Sequence, residues 1–462
     1  MFNIKSLRKF AVIEKLEDEI ELKDLTIFMG DNSAGKSYLA MLIHSFISMT
    51  AGYIKPDFLK AIKSKFENKK FIQELQKTID TIISKNNQNN SRYTIYFDEA
   101  DLQDLETIID FSVNEYLIKK YLVQKVFDSA TIEHINIELK DIKKHLFHSF
   151  IISIQNSNDE LQIELSIDNE IIGNVNFQGN MPSELIKEEL LNIFISRLIE
   201  ITIKKSLPIN SVYLPASRTG YLQTYKILAN KAVLSNYTKE ETDSKDTLSI
   251  MVRFFITQLN TNTTFEENKF SKFIEDFIIN GKVNIYKDNS DIDFELSDGT
   301  KIDLNYLSST VSELIPLVVF LKRGLIKAGG LVVIEEPEAH LSFKNQKLIA
   351  KFVVLLMQNN IKVLITTHSD FFIYEINNLI IKNTILKNRE KLHLEKDFFD
   401  DNIALDYKKV ALYNFILKNE SSTVKRIEID KYGINNTYIF DSTYATSKEK
   451  NKLLDLMDSL DA

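Results

Sequence analysis

The chain has no cysteine in its 462 residues. That excludes disulfides, zinc–thiolate centres, cysteine-ligated iron–sulfur clusters and thiol catalysis. Long hydrophobic runs are missing too: no window approaches the ~20 uninterrupted apolar residues that a membrane-crossing helix needs. Met1-Phe2-Asn3-Ile4-Lys5 leads directly into a strand, without the charged and then apolar pattern of a leader. A cytoplasmic protein with no membrane partner is therefore expected. Positive charge is not in excess. The formal net charge of −8 weighs against a surface that grips nucleic acid all over, although it leaves room for a local basic face. Internal repeats, low-complexity tracts and sustained a/d heptads are absent, so no long coiled coil is expected. With 44% hydrophobic and 26% charged residues, the composition is that of a globular protein long enough for a large core and more than one domain.

Against these absences, one stretch stands out. Gly30-Asp31-Asn32-Ser33-Ala34-Gly35-Lys36-Ser37 fits the phosphate-binding P-loop pattern G-x-x-x-x-G-K-[ST]. Its surroundings fit as well, because Leu25 to Met29 reads as a short buried strand and Tyr38 to Ile43 as the helix that leaves the loop. The glycines allow the backbone N–H groups to converge on an anion at the helix N-terminus. Lys36 supplies a positive charge for the outer phosphates of ATP, and the Ser37 hydroxyl is a ligand for Mg²⁺.

Two further strands end in polar tips. Leu331-Val332-Val333-Ile334-Glu335-Glu336 is an apolar run followed by two carboxylates, the pattern of a buried parallel strand that delivers acids to its C-terminal edge. Glu335 sits where a Walker B carboxylate orients Mg²⁺. Glu336 sits where a general base polarises the attacking water. Val363-Leu364-Ile365 runs into Thr366-Thr367-His368-Ser369-Asp370, which places His368 where it could sense a γ-phosphate.

Taken together, the P-loop, Glu335-Glu336-Pro337-Glu338-Ala339-His340-Leu341 and Thr366-Thr367-His368-Ser369 resemble the ABC-type ATPases of the SMC/RecF/OLD-like group. Within that group the chain is similar to stand-alone "AAA family" ATPases, such as the ATPase subunits of Septu and PARIS anti-phage systems. Tyr213 to Arg218 and Val424 to Ile434 add to the resemblance, which covers residues 1–45 and roughly 205–440. It implies an α/β fold: an ABC-type P-loop head with a mixed sheet flanked by helices. It also implies a signature loop that meets the nucleotide of a second subunit. Leu307-Ser308-Ser309-Thr310-Val311-Ser312-Glu313 occupies that place, with Thr310 where the family has Gly. The alternative for Ser308-Ser309 is a plain helix cap. No Q-loop glutamine is identifiable; Arg218 either acts near that place or is a surface or interdomain residue.

The resemblance implies an ATPase whose heads dimerise around ATP·Mg²⁺ and control a partner, a separately encoded nuclease. The other readings are a RecF/SMC-like repair ATPase that binds DNA and an OLD-type nuclease. For the last, no Glu followed by a strand-borne Asp-x-Asp is found after Asp370. A transporter subunit fits least.

The expected organisation is an N-terminal head part at 1–54, a mainly helical insertion at 55–205, a C-terminal head part at 206–380 and a small α+β region at 381–462. In the insertion, Phe58, Leu59, Ile62, Phe66 and then Phe71, Leu75, Ile79, Ile82, Ile83 recur at mostly helical spacing. Glu106 to Phe127 and Glu133 to Phe150 also read as helical, 151–178 as a small antiparallel patch and Ser183 to Lys205 as a long helix. A strand at Val424 to Ile429 and a helix at Ser447 to Leu460 are expected near the end. Asp98-Glu99-Ala100-Asp101 spells a helicase motif but reads better as an acidic turn before a helix. Lys60, Lys63, Lys65, Lys69 and Lys70, and Lys140, Lys143 and Lys144, read as solvated faces. His145-x-x-His148 lacks the Glu of a zinc-protease helix and reads as structural.

Overall fold

The computed structural model describes residues 2–49, 56–84, 91–123, 127, 132–140, 142, 149–157, 160–167, 170–178, 182–224, 250–259, 267–286, 292–393, 395 and 401–435. His145, His148, Lys143, Lys144 and the expected helix Ser447 to Leu460 lie outside these residues. The chain divides into two compact units, Met1–Ser6 with Ser45–Ile209, and Leu7–His44 with Asn210–Ala462. Among the described residues no helix is long and apolar enough to cross a membrane.

The chain begins with β1 (Phe2–Phe10), β2 (Ile13–Leu16), β3 (Ile20–Glu21), β4 (Leu25–Gly30) and α1 (Lys36–Met49). The first unit continues with α2 (Pro56–Phe66), α3 (Lys70–Ser84), β5 (Ser91–Tyr96) and α4 (Glu99–Phe111), which runs on as a π-helical stretch Ser112–Leu122. It ends with β6 (Ile132–Leu139), β7 (Ser149–Ser157), β8 (Glu160–Ile167), β9 (Glu170–Gln178) and α5 (Ser183–Ser206). Phe71, Ile72, Leu75, Ile79 and Ile82 form the buried face of α3, as their spacing predicts. The antiparallel patch is present, and β5 extends it into a four-stranded sheet in the order β5-β7-β8-β9.

Two expectations for this unit are corrected. Within the expected helix Glu133 to Phe150, the described residues 133–139 are a strand. Ile135, Ile137 and Leu139 are buried at every second position, and β6 follows that period-two alternation. Ser91 to Tyr96, within the insertion expected to be mainly helical, is a strand paired with β7. The acidic turn itself is as expected. Asp98 N-caps α4 in a reciprocal capping box with Asp101. The lysines nearby are engaged: Lys69 pairs with Asp104 at 2.8 Å, Lys63 with Glu188 at 3.5 Å, Lys70 with Asp98, and Lys65 lies 3.9 Å from the Phe111 ring centroid.

The second unit holds β10 (Ser211–Leu214), α6 (Ile250–Leu259), α7 (Lys269–Ile274), β11 (Gly281–Ile285), β12 (Ile292–Leu296) and β13 (Lys301–Ile302). Then come α8 (Ser309–Lys322), β14 (Leu331–Glu335), α9 (Phe343–Gln358), β15 (Lys362–Thr367) and α10 (Asp370–Lys387). Strands β16 (Val410–Lys418) and β17 (Ser421–Ile427), with the short pair β18 (Ile429–Asp430) and β19 (Gly433–Ile434), complete the described chain. The central sheet runs β10-β14-β15-β4-β16-β17-β2-β1, parallel from β10 to β16. Its parallel strands are short apolar runs because helices cover both faces. Leu25, Ile27, Val332, Ile334, Val363 and Ile365 share one core with residues of α8, α9 and α10. The expected α/β class with a mixed sheet flanked by helices is thus observed.

The tail departs from expectation. Residues 410–427 form a hairpin inside this sheet, with β16 lying directly against β4. Val410 to Tyr413 and Phe415 are buried, and β16 lies between β4 and β17.

Candidate functional site: the P-loop and the carboxylates at the sheet edge

The parallel register decides which side chains meet. Glu335 is level with Thr366, and Thr367 with Met29, so β14, β15 and β4 release Glu336, His368 and the P-loop at one edge of the sheet. The P-loop is braced from behind by the C-terminal hairpin. Gly30 has φ +127°, and a Cβ there would stand 2.2 Å from the Phe415 carbonyl oxygen, so glycine is required by both backbone and space. The Ser422 hydroxyl donates to the Ala34 carbonyl at 2.7 Å. Asp31, Asn32 and Ser33 are exposed, and Ser33 adopts a left-handed φ of 59°. Ser37 is half-buried in the first turn of α1.

Lys36 is buried. Its ammonium donates to the carbonyls of Gly30 (2.9 Å) and Asp31 (2.6 Å) and to His368 Nδ1 at 3.3 Å. A lysine ammonium has no acceptor, so Nδ1 accepts and the neutral ring carries its proton on Nε2. That nitrogen faces Glu336 Oε1 at 3.3 Å. Burial pulls the Lys36 amine from its ordinary 10.5 to about 8, against the opposing charges of Glu336 and Asp31. The contact with His368 holds the Glu336 carboxyl below the ordinary range, so Glu336 is ionised at neutral pH. Three predicted residues, Lys36, His368 and Glu336, form one chain of contacts. Glu336 itself sits at a left-handed φ of 43°, uncommon for a non-glycine residue, while its N–H still donates to the Thr366 carbonyl at 2.8 Å.

Glu335 points the other way. It is 6% exposed; Oε2 accepts from the Ala216 N–H at 3.1 Å, and Oε1 is buried with no hydrogen-bond partner among the described residues. Burial, followed by the Glu335 charge, keeps the neighbouring Tyr213 phenol well above its ordinary value. Among the described residues no cluster of three or more His, Asp or Glu could hold a metal unaided. The donor set fits Mg²⁺, which keeps waters and takes one or two protein oxygens beside substrate phosphates. Ser37 and the orphaned oxygen of Glu335 are the protein oxygens offered.

Ser308 is the N-cap of α8 and accepts from the Val311 N–H, so the capping alternative holds for that residue. Ser308 and Ser309 are nevertheless exposed, and the Thr310 hydroxyl donates to the His340 carbonyl at 2.7 Å. That bond ties the first turn of α8 to the loop after Glu336.

Arg218 is neither a surface residue nor a ligand facing the P-loop. It is 2% exposed and donates to the carbonyls of Pro215 (3.1 Å), Glu335 (2.6 Å), Glu336 (3.2 Å) and Glu313 (3.1 Å), and it ion-pairs with the Glu313 carboxylate at 3.0 Å. It clamps the end of β14. Sequence reasoning also passed over Glu338, which accepts from the Thr367 hydroxyl and the His368 N–H. The available signal was a second acid two residues beyond Glu336, too close to the strand end to reach open solvent.

No significant match is found among curated proteins. The chain is similar to several solved SMC heads, all at low identity. One is the SMC head domain from Thermotoga maritima, at 9% identity over 93% of this chain and 98% of that one, with a TM-score of 0.31. Another is an SMC head bound to the C-terminal winged-helix domain of ScpA, at 12% identity over 93% and 98%, with a TM-score of 0.34. A third is the Pyrococcus furiosus SMC head with an extended coiled coil bound to the C-terminal domain of ScpA, at 11% identity over 93% and 97%, with a TM-score of 0.35. The family model for the AAA ATPase domain matches residues 11–373, a span that holds the P-loop, the signature position, both carboxylates and His368. The chain belongs to the AAA ATPase domain family.

Proposed function

We propose that the protein binds ATP with Mg²⁺ at the P-loop and hydrolyses it with Glu336 as the general base. The observation that carries this reading is the contact chain Lys36–His368–Glu336 at the C-terminal edge of the parallel sheet. ATP drawn into the loop would take the Lys36 ammonium from the Gly30 and Asp31 carbonyls and leave His368 free to meet the γ-phosphate. Glu336 would then align water, its ionised carboxylate accepting the proton as the water oxygen bonds to the γ-phosphorus and the bond to the bridging oxygen breaks, releasing ADP. Bound Mg²⁺ would neutralise charge on the phosphate oxygens, with Ser37 and Glu335 holding it. The exposed Ser308 and Ser309, with the half-buried Thr310, would meet the nucleotide of a second copy, so that ATP closes a homodimer and hydrolysis reopens it. The output of that cycle is control of a partner effector. The resemblance to defence ATPases supports a separately encoded nuclease and a role against phage.

Glu336→Gln tests the chemistry. It keeps shape and hydrogen bonding but removes the charge, so single-turnover hydrolysis falls by roughly 10²–10⁴ while ATP binding stays and dimer accumulates on a sizing column. Glu335→Gln instead weakens the Mg²⁺ dependence and nucleotide affinity. Hydrolysis by Glu336→Gln at the wild-type rate overturns the assignment.

A further inference from the structure

One buried acid beside the site is unused by the mechanism above. Glu338 is 9% exposed, and its two oxygens are treated differently. Oε1 accepts from the Thr367 hydroxyl at 2.5 Å and from the His368 N–H at 3.1 Å; Oε2 is buried with no hydrogen-bond partner among the described residues. The Thr367 hydroxyl in turn accepts from the Ser369 N–H at 3.0 Å. The Ser369 hydroxyl donates to Gln346 Oε1 at 3.0 Å, and the Gln346 amide donates to the Leu341 carbonyl at 3.1 Å. The network therefore starts and ends on the loop after Glu336 and encloses the turn that carries His368.

We propose that Glu338 is a positioning residue for the nucleotide reaction, holding the backbone of His368 so that the imidazole stands against Glu336. His368 is then fixed at two points on the same loop: its ring by Glu336 at 3.3 Å and its amide by Glu338 at 3.1 Å. The left-handed turn at Glu336 returns the chain so that residue 338 can reach back under the strand. What the site needs from Glu338 is one acceptor oxygen, because both of its donors converge on Oε1. Its charge is dispensable, in keeping with a carboxyl that burial raises above the ordinary range. Glutamine can supply the same oxygen; alanine cannot.

The inference rests on the proposed hydrolysis, and its test separates the two. ATPase kinetics, nucleotide affinity and side-chain NMR of ring-¹⁵N-labelled histidine are measured on the full chain, with the His368 signals assigned from His368→Ala. Glu338→Gln should keep kcat within about threefold. Glu338→Ala should lower kcat by about tenfold to a hundredfold, the scale of a misplaced catalytic group, with KM and nucleotide Kd unchanged. Combined with His368→Ala it should add nothing, since it acts through that residue. In the nucleotide-free protein the His368 ring signals should move in Glu338→Ala and stay in place in Glu338→Gln. Wild-type kcat in Glu338→Ala, equal losses in the Gln and Ala variants, or additive losses with His368→Ala each overturn the proposal. If the wild-type protein does not turn over ATP, the hydrolysis reading fails, and the His368 signals still decide this one: unmoved in Glu338→Ala, they sink it. Thr367→Val, which removes the hydroxyl at nearly constant volume, gives the same readouts should Glu338→Ala not fold.

Discussion

Lys36 is a cation with little water around it, and its carbonyl partners replace solvation only in part. The drop of its amine from 10.5 to about 8 has two consequences of definite sign. Phosphate is attracted by the protonated form, so nucleotide affinity should be level between pH 6 and 7.5. Above about 8 it should decline, by up to tenfold per pH unit. The folded value lies below the unfolded one, so between about 8 and 10.5 the unfolded chain binds more protons, and Lys36's contribution to stability increases as pH rises through that window. Titration calorimetry at pH 7, 8 and 9 checks the first point; Lys36→Met should bind weakly and give a flat profile. An affinity that holds constant to pH 9.5 in the wild type would show that Lys36 keeps its charge. At this scale the placement of Gly30, Gly35, Lys36 and Glu336 at one sheet edge was legible in the chain, because each lies within a few residues of a strand that announces it. The partners of Glu338 and Arg218 were not. Thr367 and Glu335 are distant in sequence, and no local pattern encodes which buried acceptor a guanidinium will meet.

Among the elements, β14 depends on one side chain from outside it. Arg218, beyond the end of β10, satisfies the carbonyls of Glu335 and Glu336 and neutralises Glu313 on α8, so two strand ends and a helix are fastened at one point. Arg218→Met should leave the Glu313 carboxylate buried without its counter-charge, at a cost of about 3–5 kcal/mol. Thermal unfolding should show a clear fall in Tm, and Arg218→Met/Glu313→Gln should recover part of it. A Tm within about a degree of wild type would mean that the pair contributes little. Strands β4, β14 and β15 were readable because short apolar runs ending in polar tips have few other uses. Strand β16 was missed although Val410 to Leu412 is equally apolar, since nothing local says whether such a run pairs inside a central sheet or in a small appended one. Strand β6 was missed for a different reason. Its alternation is preceded by a helix-like stretch, and the two periods blur over a window of that length.

For the whole molecule, the proposed output depends on a second copy. Ser309 is exposed at the first turn of α8, whereas the Ser308 hydroxyl is engaged in capping. Ser309→Arg should therefore leave the fold and ATP binding by each monomer intact while a long cation blocks closure. ATP·Mg²⁺ should no longer shift the protein to dimer in light scattering, and turnover should fall about tenfold or more, the equivalent of ~1.4 kcal/mol of lost association. A variant that dimerises and turns over like wild type would leave the Ser308-Ser309 pair as a helix cap and no more.

Chemistry set by covalent order was present in the chain itself: a phosphate loop between strand and helix, two acids at a strand end, a histidine at another, and the absence of thiols and of long apolar runs. These follow from patterns a few residues long. Which strand lies beside β4, which oxygen of Glu335 is left free, and that His368 stands between Lys36 and Glu336 are set by parallel register and by burial. Those quantities exist only once distant segments have packed, because a register shift of one residue would turn each of these side chains to the other face of the sheet.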